Sequence, residues 1–167
     1  MYVTIPSPKP CLPLRCPGFP LPPYRYVPGL QPHPLKHPEG HRHEGPPSHL
    51  GMDPCWRHGQ DLFDHRFYWE AHEVWERLWK SLPRSSAKWF LVRGMIQASA
   101  SVLKRHMDHI GPSVRLWNSA QISIAQADGE VWGLDMPRSL LSITRYHGGG
   151  DWPVLAPRAA ASWRSNL

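Results

Sequence analysis

Three signals that would narrow a function at once are missing from this chain. Its three cysteines, Cys11, Cys16 and Cys55, contain no CxxC pair, so neither a zinc ribbon nor a disulfide framework is indicated. No stretch approaches the roughly 18 apolar residues of a membrane span. The opening Met1-Tyr2-Val3-Thr4-Ile5-Pro6 lacks the basic start and unbroken apolar run of a secretory leader. The expected location is a reducing cytoplasm, with no membrane partner. Charge of one sign is nowhere gathered. Residues 1–54 carry five Lys/Arg against three Asp/Glu, residues 55–147 twelve against nine, and the remainder two against one. The clustered basic footprint of a phosphate-binding surface is therefore absent, and nucleic acid is not an expected partner. Phosphate loops, dinucleotide fingerprints and Gly-x-Ser-x-Gly elbows are lacking too, which removes the familiar nucleotide-dependent and nucleophilic enzymes. No cofactor is expected, and a homo-oligomer is left open.

What the chain has in plenty is proline, tryptophan and histidine, and the first two divide it between them. Fifteen of the twenty prolines precede Cys55, and all nine tryptophans lie at Trp56 or beyond. Proline removes a backbone donor and disfavours helix at the residue before it, so residues 1–52 read as an extended Pro/His-rich arm. Such a terminus protects little backbone, and proteolysis is expected to strip it from a fragment beginning near Asp53. Tyr24, Tyr26, Val27 and Leu30 nevertheless form an apolar stretch able to lie along a domain. The arm also holds His33, His37, His41, His43 and His49, which without a packed scaffold would bind a metal only weakly.

Residues 53–147 carry helical punctuation throughout. Asp53-Pro54 predicts a capped start, and Pro83 a stop. Ser85 or Ser86 can cap a third helix, and Gly111-Pro112 separates it from a fourth with Leu116, Ala120 and Ile124 at four-residue steps. A shorter fifth helix follows Pro137 and ends at Gly148-Gly149-Gly150. No alternating run of useful length appears. The fold class is all-α, a multi-helical bundle of four to five helices, with residues 148–167 as an irregular tail.

Helix two, from Phe67 to about Leu82, holds the residues of interest. On a helical wheel Tyr68, Trp69, His72, Trp75, Glu76 and Trp79 share one face. His72 and Glu76 are four apart and can meet, whereas Glu70 and Glu73 point elsewhere. Gly94, Ala98 and Ser101 on helix three offer a shallow groove for the indoles, with Gln97 beside it as a partner for Glu76 or His72. Two readings follow. Either Glu76 and His72 form an acid/base pair or half of a metal site in an aromatic pocket, or they satisfy one another while tryptophan fills the core. The HExxH metalloprotease pattern fails, because position 76 is Glu where the second histidine is needed.

Leu62-Phe63-Asp64, the run Trp69-Glu70-Ala71-His72-Glu73-Val74-Trp75-Glu76 with Trp79, and Gly94-Met95-Ile96-Gln97-Ala98 together resemble the bacterial and archaeal domain-of-unknown-function family 309. The resemblance covers roughly residues 53 to 125. It implies a compact helical fold, no assigned activity, and Glu70, His72, Glu73, Trp75, Glu76, Trp79 and Gln97 as the positions matching the family signature. The family has glycine in the turn where this chain has Arg66. A binding or interaction module is the expected function. The alternative is a small-molecule enzyme using Glu76 and His72 in a Trp-lined pocket, with or without a metal.

Overall fold

The computed structural model describes residues 3–9 and 11–157. Its helices are α1 (Met52–Asp64), α2 (Tyr68–Ser81), α3 (Ala87–His106), α4 (Ile110–Ala125) and α5 (Met136–His147), preceded by a single 3-10 turn at Ser48–Leu50. Among the described residues the one β-type contact is an isolated bridge between Leu134 and Pro157, so the fold is all-α. The long α3 is central and packs against α2, α4 and α5, while α1 packs on α2. The core runs through Leu62, Phe63, Trp75, Leu91, Met95, Ala98 and Val102, all buried.

Two helix starts follow from their side chains. Ser86 caps α3 by accepting from the backbone N–H of Trp89, and Asp135 caps α5 by accepting from that of Arg138. Asp53 does something else. The cap position of α1 is Gly51, and the Asp53 carboxylate accepts from the indole N–H of Trp132 at 2.6 Å. Trp132 in turn stacks on Trp56 with ring centres 5.1 Å apart. An N-cap signature near a helix start has thus been used for a tertiary contact. Pro112 lies inside the first turn of α4, where its missing N–H costs nothing.

The groove on α3 is filled from a different side than the spacing of its small residues suggests. A Cβ on Gly94 would meet Ile124 at 2.4 Å and the Ala120 carbonyl at 3.0 Å, so this glycine admits α4. The indole of α2 sits instead on Gly59 of α1, where a Cβ would lie 2.0 Å from Trp75 Nε1.

The arm has no long helix, and it is held by side chains of the domain. Val27 is fully buried, and Ile5 and Tyr26 nearly so. Asp61 accepts from the backbone N–H groups of Arg15 and Cys16, both at 2.8 Å, and the Arg15 guanidinium reaches Asp64 at 2.7 Å. Arg25 donates to the His65 carbonyl at 2.7 Å, and Tyr26 N–H to Glu70 at 2.9 Å. Arg77 donates to the carbonyls of Glu44 and Pro46. Some of the arm's backbone pairs within the arm, as Leu30 N–H does with the Val27 carbonyl at 3.0 Å and Arg42 N–H with that of Pro34 at 3.1 Å, and the domain supplies partners for the groups named above. These contacts argue against the ready removal expected from proline content, because a fragment beginning at Asp53 would leave buried carboxylates without donors.

Past α5, Leu155 is buried and its N–H donates to Asp64 at 2.7 Å, while the Ala156 carbonyl accepts from Asp135 N–H at 2.8 Å. Trp152 stacks against Tyr68 and Tyr146. The rest of the expected tail, residues 158–167, lies outside the described residues.

Asp61→Ala should lower the unfolding free energy by about 3 kcal/mol, since two partly buried backbone donors and the Arg15 guanidinium lose a buried acceptor at once. Urea denaturation measures this, and a change within about 0.5 kcal/mol, the range of ordinary surface substitutions, would contradict it. Gly59→Ala should cost a further, independent amount of about 1–3 kcal/mol by overpacking against Trp75. A melting temperature equal to that of the parent would show that the indole has room to move.

Candidate functional site

The buried face of α2 is rotated from the one its wheel suggests. Tyr68, Ala71, Val74, Trp75 and Leu78 are buried, together with Glu70, whereas Trp69, His72, Glu76 and Trp79 are only partly covered. The cause is tertiary. The arm lies over Glu70 and Val74, so the inward arc extends to that side and leaves His72 and Glu76 at the opposite margin. Trp75 is the most enclosed of the α2 indoles, and its N–H donates to the Trp56 carbonyl at 3.3 Å. Trp79 is half-buried against Trp89, ring centres 5.0 Å apart.

Glu70 lies inside the protein, with its side chain 1% exposed. Its Oε1 accepts from Tyr26 N–H and sits 3.0 Å from His41 Nε2, while Oε2 has no hydrogen-bond partner. The tautomer of His41 follows from its other contact. Its Nδ1 accepts the backbone N–H of His43 at 3.0 Å, which puts the ring proton on Nε2, donating to Glu70.

His72, Glu73 and Glu76 form a second group at the exposed edge of α2. One ligand atom from each lies within 4.8 Å of the others. His72 Nδ1 is 3.3 Å from the Glu73 carboxylate, at ion-pair distance without the alignment of a hydrogen bond. The contact with His72 holds the Glu73 carboxyl below its usual range. Glu76 pairs with Lys80 at 3.1 Å, one turn further on. Glu73 and Glu76 also border an open cleft of about 380 Å³ whose other walls include His43, Glu44, Arg77 and Lys80 and contain no indole. Gln97 is elsewhere. Its Oε1 accepts from Ser123 Oγ at 2.8 Å, tying α3 to α4.

The seven candidate positions therefore separate into three settings. Glu70 and Trp75 hold the interior, Trp79 and Gln97 hold helix contacts, and His72, Glu73 and Glu76 share the open edge.

Residues 56–116 match the family model DUF309, a domain of unknown function. No curated protein matches the chain. The DUF309 segment spans α1 from Trp56 through the first half of α4 and thus contains every residue of the α2 edge. Arg66 lies in it with φ of 69°, the left-handed backbone that glycine adopts without strain, so the turn into α2 keeps a glycine-like shape with arginine in place. Its guanidinium donates to the Pro6 carbonyl at 3.1 Å and lies over Trp152.

Some buried groups of the matched segment have their partners outside it. Tyr26 and His41 come to Glu70 from the arm, and His43 comes to His58 with the two Nε2 atoms 2.8 Å apart. One ring must donate and the other accept, so at most one proton lies between them. Burial pushes both imidazoles down to about 4, with His43 further opposed by His41 and His58 by His43, and Arg77 acting on both. No motif in the sequence singles out His58. The clue available was the histidine density of the arm, which marks no particular partner on α1.

The pH dependence of stability follows in sign. A histidine whose folded value lies below the unfolded value near 6.5 adds stability that is complete above 6.5 and is lost as pH falls toward 4. Asp64 acts the other way, since burial raises its carboxyl to about 6 against the pull of Arg15. Between about pH 7.5 and about pH 5 the protein should lose roughly 2 kcal/mol from the His43–His58 pair, offset in part by Asp64. Urea midpoints at the two pH values measure the change, and His43→Ala should flatten it. A parent protein as stable at the lower pH as at the higher would rule out the neutral pair.

Proposed function

We propose that this protein is a binding module whose ligand surface is the polar edge of α2 with the arm segment that crosses it, and that the ligand taken there is cationic. The observation that carries this reading is the division of the candidate residues. Glu70, Trp75, Trp79 and Gln97 are consumed by the fold, whereas His72, Glu73 and Glu76 face open space together. Arg77, which donates to carbonyls of the arm, and Lys80 are the two cations on the cleft's lining, set against the three carboxylates of Glu44, Glu73 and Glu76. A rigid helix with its opposite face packed gives these groups fixed positions.

An acid/base enzyme working through His72 and Glu76 has less support. Glu76 is engaged by Lys80, His72 lies against Glu73, and the cleft that Glu73 and Glu76 border is open. Catalytic proton transfer usually needs a base within hydrogen-bond reach of its partner and shielded from water. No helix among the described residues is long and apolar enough to cross a membrane. The cysteine pattern supports a reducing cytoplasm as the place of action, and the dispersed charge supports a partner other than nucleic acid.

Thermal shift against a diamine, a basic amino acid and divalent cations tests the reading. At least one class should raise the melting temperature of the parent, and Glu73→Gln/Glu76→Gln should abolish the rise while changing unliganded stability by no more than about 0.5 kcal/mol. No shift from any class at millimolar concentration, or a double variant that is itself markedly unstable, would refute it.

A further inference from the structure

We propose that the cleft between α1 and the loop at Trp132 binds a zwitterionic α-amino acid with an apolar side chain. The site shares no residue with the α2 edge and goes beyond the reading given for that edge. Asp53, Arg57 and Gln60 recur at helical spacing along one face of α1, and with Arg15, Trp56 and Trp132 they border an open cleft of about 400 Å³. A carboxylate and a guanidinium four residues apart on a helix are within reach of one another. Here they do not pair. Asp53 Oδ1 accepts the indole N–H of Trp132 at 2.6 Å and leaves Oδ2 without a hydrogen bond, while the exposed Arg57 side chain makes neither an ion pair nor a hydrogen bond among the described residues.

Gln60 points to a ligand independently. It is only 4% exposed, yet its side-chain amide, with one oxygen to accept and two N–H groups to donate, makes no hydrogen bond among the described residues. A buried amide left unpaired costs stability, and a polar ligand in the cleft it borders satisfies it. The wall of the cleft is also held against a cost. Trp132 has φ of 39°, a left-handed backbone that bulky residues rarely adopt. Three hydrogen bonds keep it there: its N–H donates to Glu130 at 2.9 Å, its carbonyl accepts from Trp56 Nε1 at 2.8 Å, and its indole donates to Asp53. The ring stacks on Trp56, and Lys88 lies 4.1 Å from its centre. Strained residues fixed in this way gather at ligand sites.

Charge complementarity then names the ligand. Arg15 is paired with Asp61 and Asp64, so the lining presents Arg57 and Asp53, one charge of each sign without an ion pair. Arg57 and a Gln60 N–H take the ligand's carboxylate, Asp53 Oδ2 takes its ammonium, and the indoles border its apolar side chain. A plain carboxylate brings no donor to Asp53, and a plain amine leaves Arg57 unanswered.

Isothermal titration of the untagged full chain with L-phenylalanine and L-leucine tests the site, with 3-phenylpropionate and phenethylamine as probes lacking one charge each. Saturable uptake of one amino acid per chain is expected, with both single-charge probes weaker by about tenfold or more. Arg57→Gln and Asp53→Asn should each weaken the amino acid by about tenfold, the second while still offering Trp132 an oxygen acceptor. Gln60→Met should weaken it several-fold and leave the unliganded melting temperature equal or higher, since an unpaired buried amide is lost. That opposite movement of affinity and stability separates a binding role from a structural one. Arg138→Gln, at an exposed arginine outside the cleft, should leave affinity within about twofold. Circular dichroism checks that each variant is folded. Absence of saturable uptake of either amino acid up to about 10 mM overturns the proposal. So does 3-phenylpropionate or phenethylamine binding as tightly as phenylalanine, or uptake unchanged in Asp53→Asn/Arg57→Gln. None of these outcomes bears on the α2 edge.

Discussion

An extended, proline-rich backbone pairs only some of its donors in turns of its own, and two buried carboxylates, Asp61 and Glu70, meet several of the others. Asp61 takes the N–H groups of Arg15 and Cys16, and Glu70 takes that of Tyr26 with the ring of His41. The dependence is mutual. A carboxylate placed in the interior without donors would shift toward its neutral form or destabilise the fold, and the arm's amides would be equally costly without acceptors. Arm and helices therefore complete one another, although their compositions differ sharply.

That mutual requirement decides what the rest of α2 can do. Covering Glu70 and Val74 with the arm turns one flank of the helix inward and presents the other, His72 and Glu76, to the outside. The indole of Trp75 is then directed at α1, where Gly59 leaves room for it. A helix whose wheel shows a single mixed face is thereby divided into a packed side and a polar edge. The charges on that edge meet the buried network at one place, the cleft wall that His43 and Arg77 share with Glu73 and Glu76. Protonation of His43 or His58 bears on stability, while occupancy of the edge bears on ligand.

Much of the architecture was legible in the chain because it is set by local rules. The stop at Pro83, the Ser85 or Ser86 cap, the fifth helix near Pro137 and the glycines after His147 act within a few residues, and each of these helix boundaries lies close to where they place it. The resemblance carried by residues 62–98 was readable for a similar reason, since it is a property of order along the chain. Less legible were contacts made over long separations. Asp53 has every mark of a cap and binds Trp132 instead, and Gly94 admits Ile124 where indoles were expected. Neither outcome has a local signature.

The sequence by itself determined the all-α class, the count of helices and the chemistry available on α2, because proline, glycine and capping residues act on the adjacent turn and side-chain identity is given outright. Only the tertiary structure decided which of those side chains are spent and which are free. Glu70 and Glu76 are both glutamates of one helix, six residues apart in the chain. One is enclosed because the arm packs directly onto it, and the other stays partly exposed because the arm leaves an open cleft beside it. Burial depends on what packs against a residue, and the segments that pack here are separated by tens of positions in the chain.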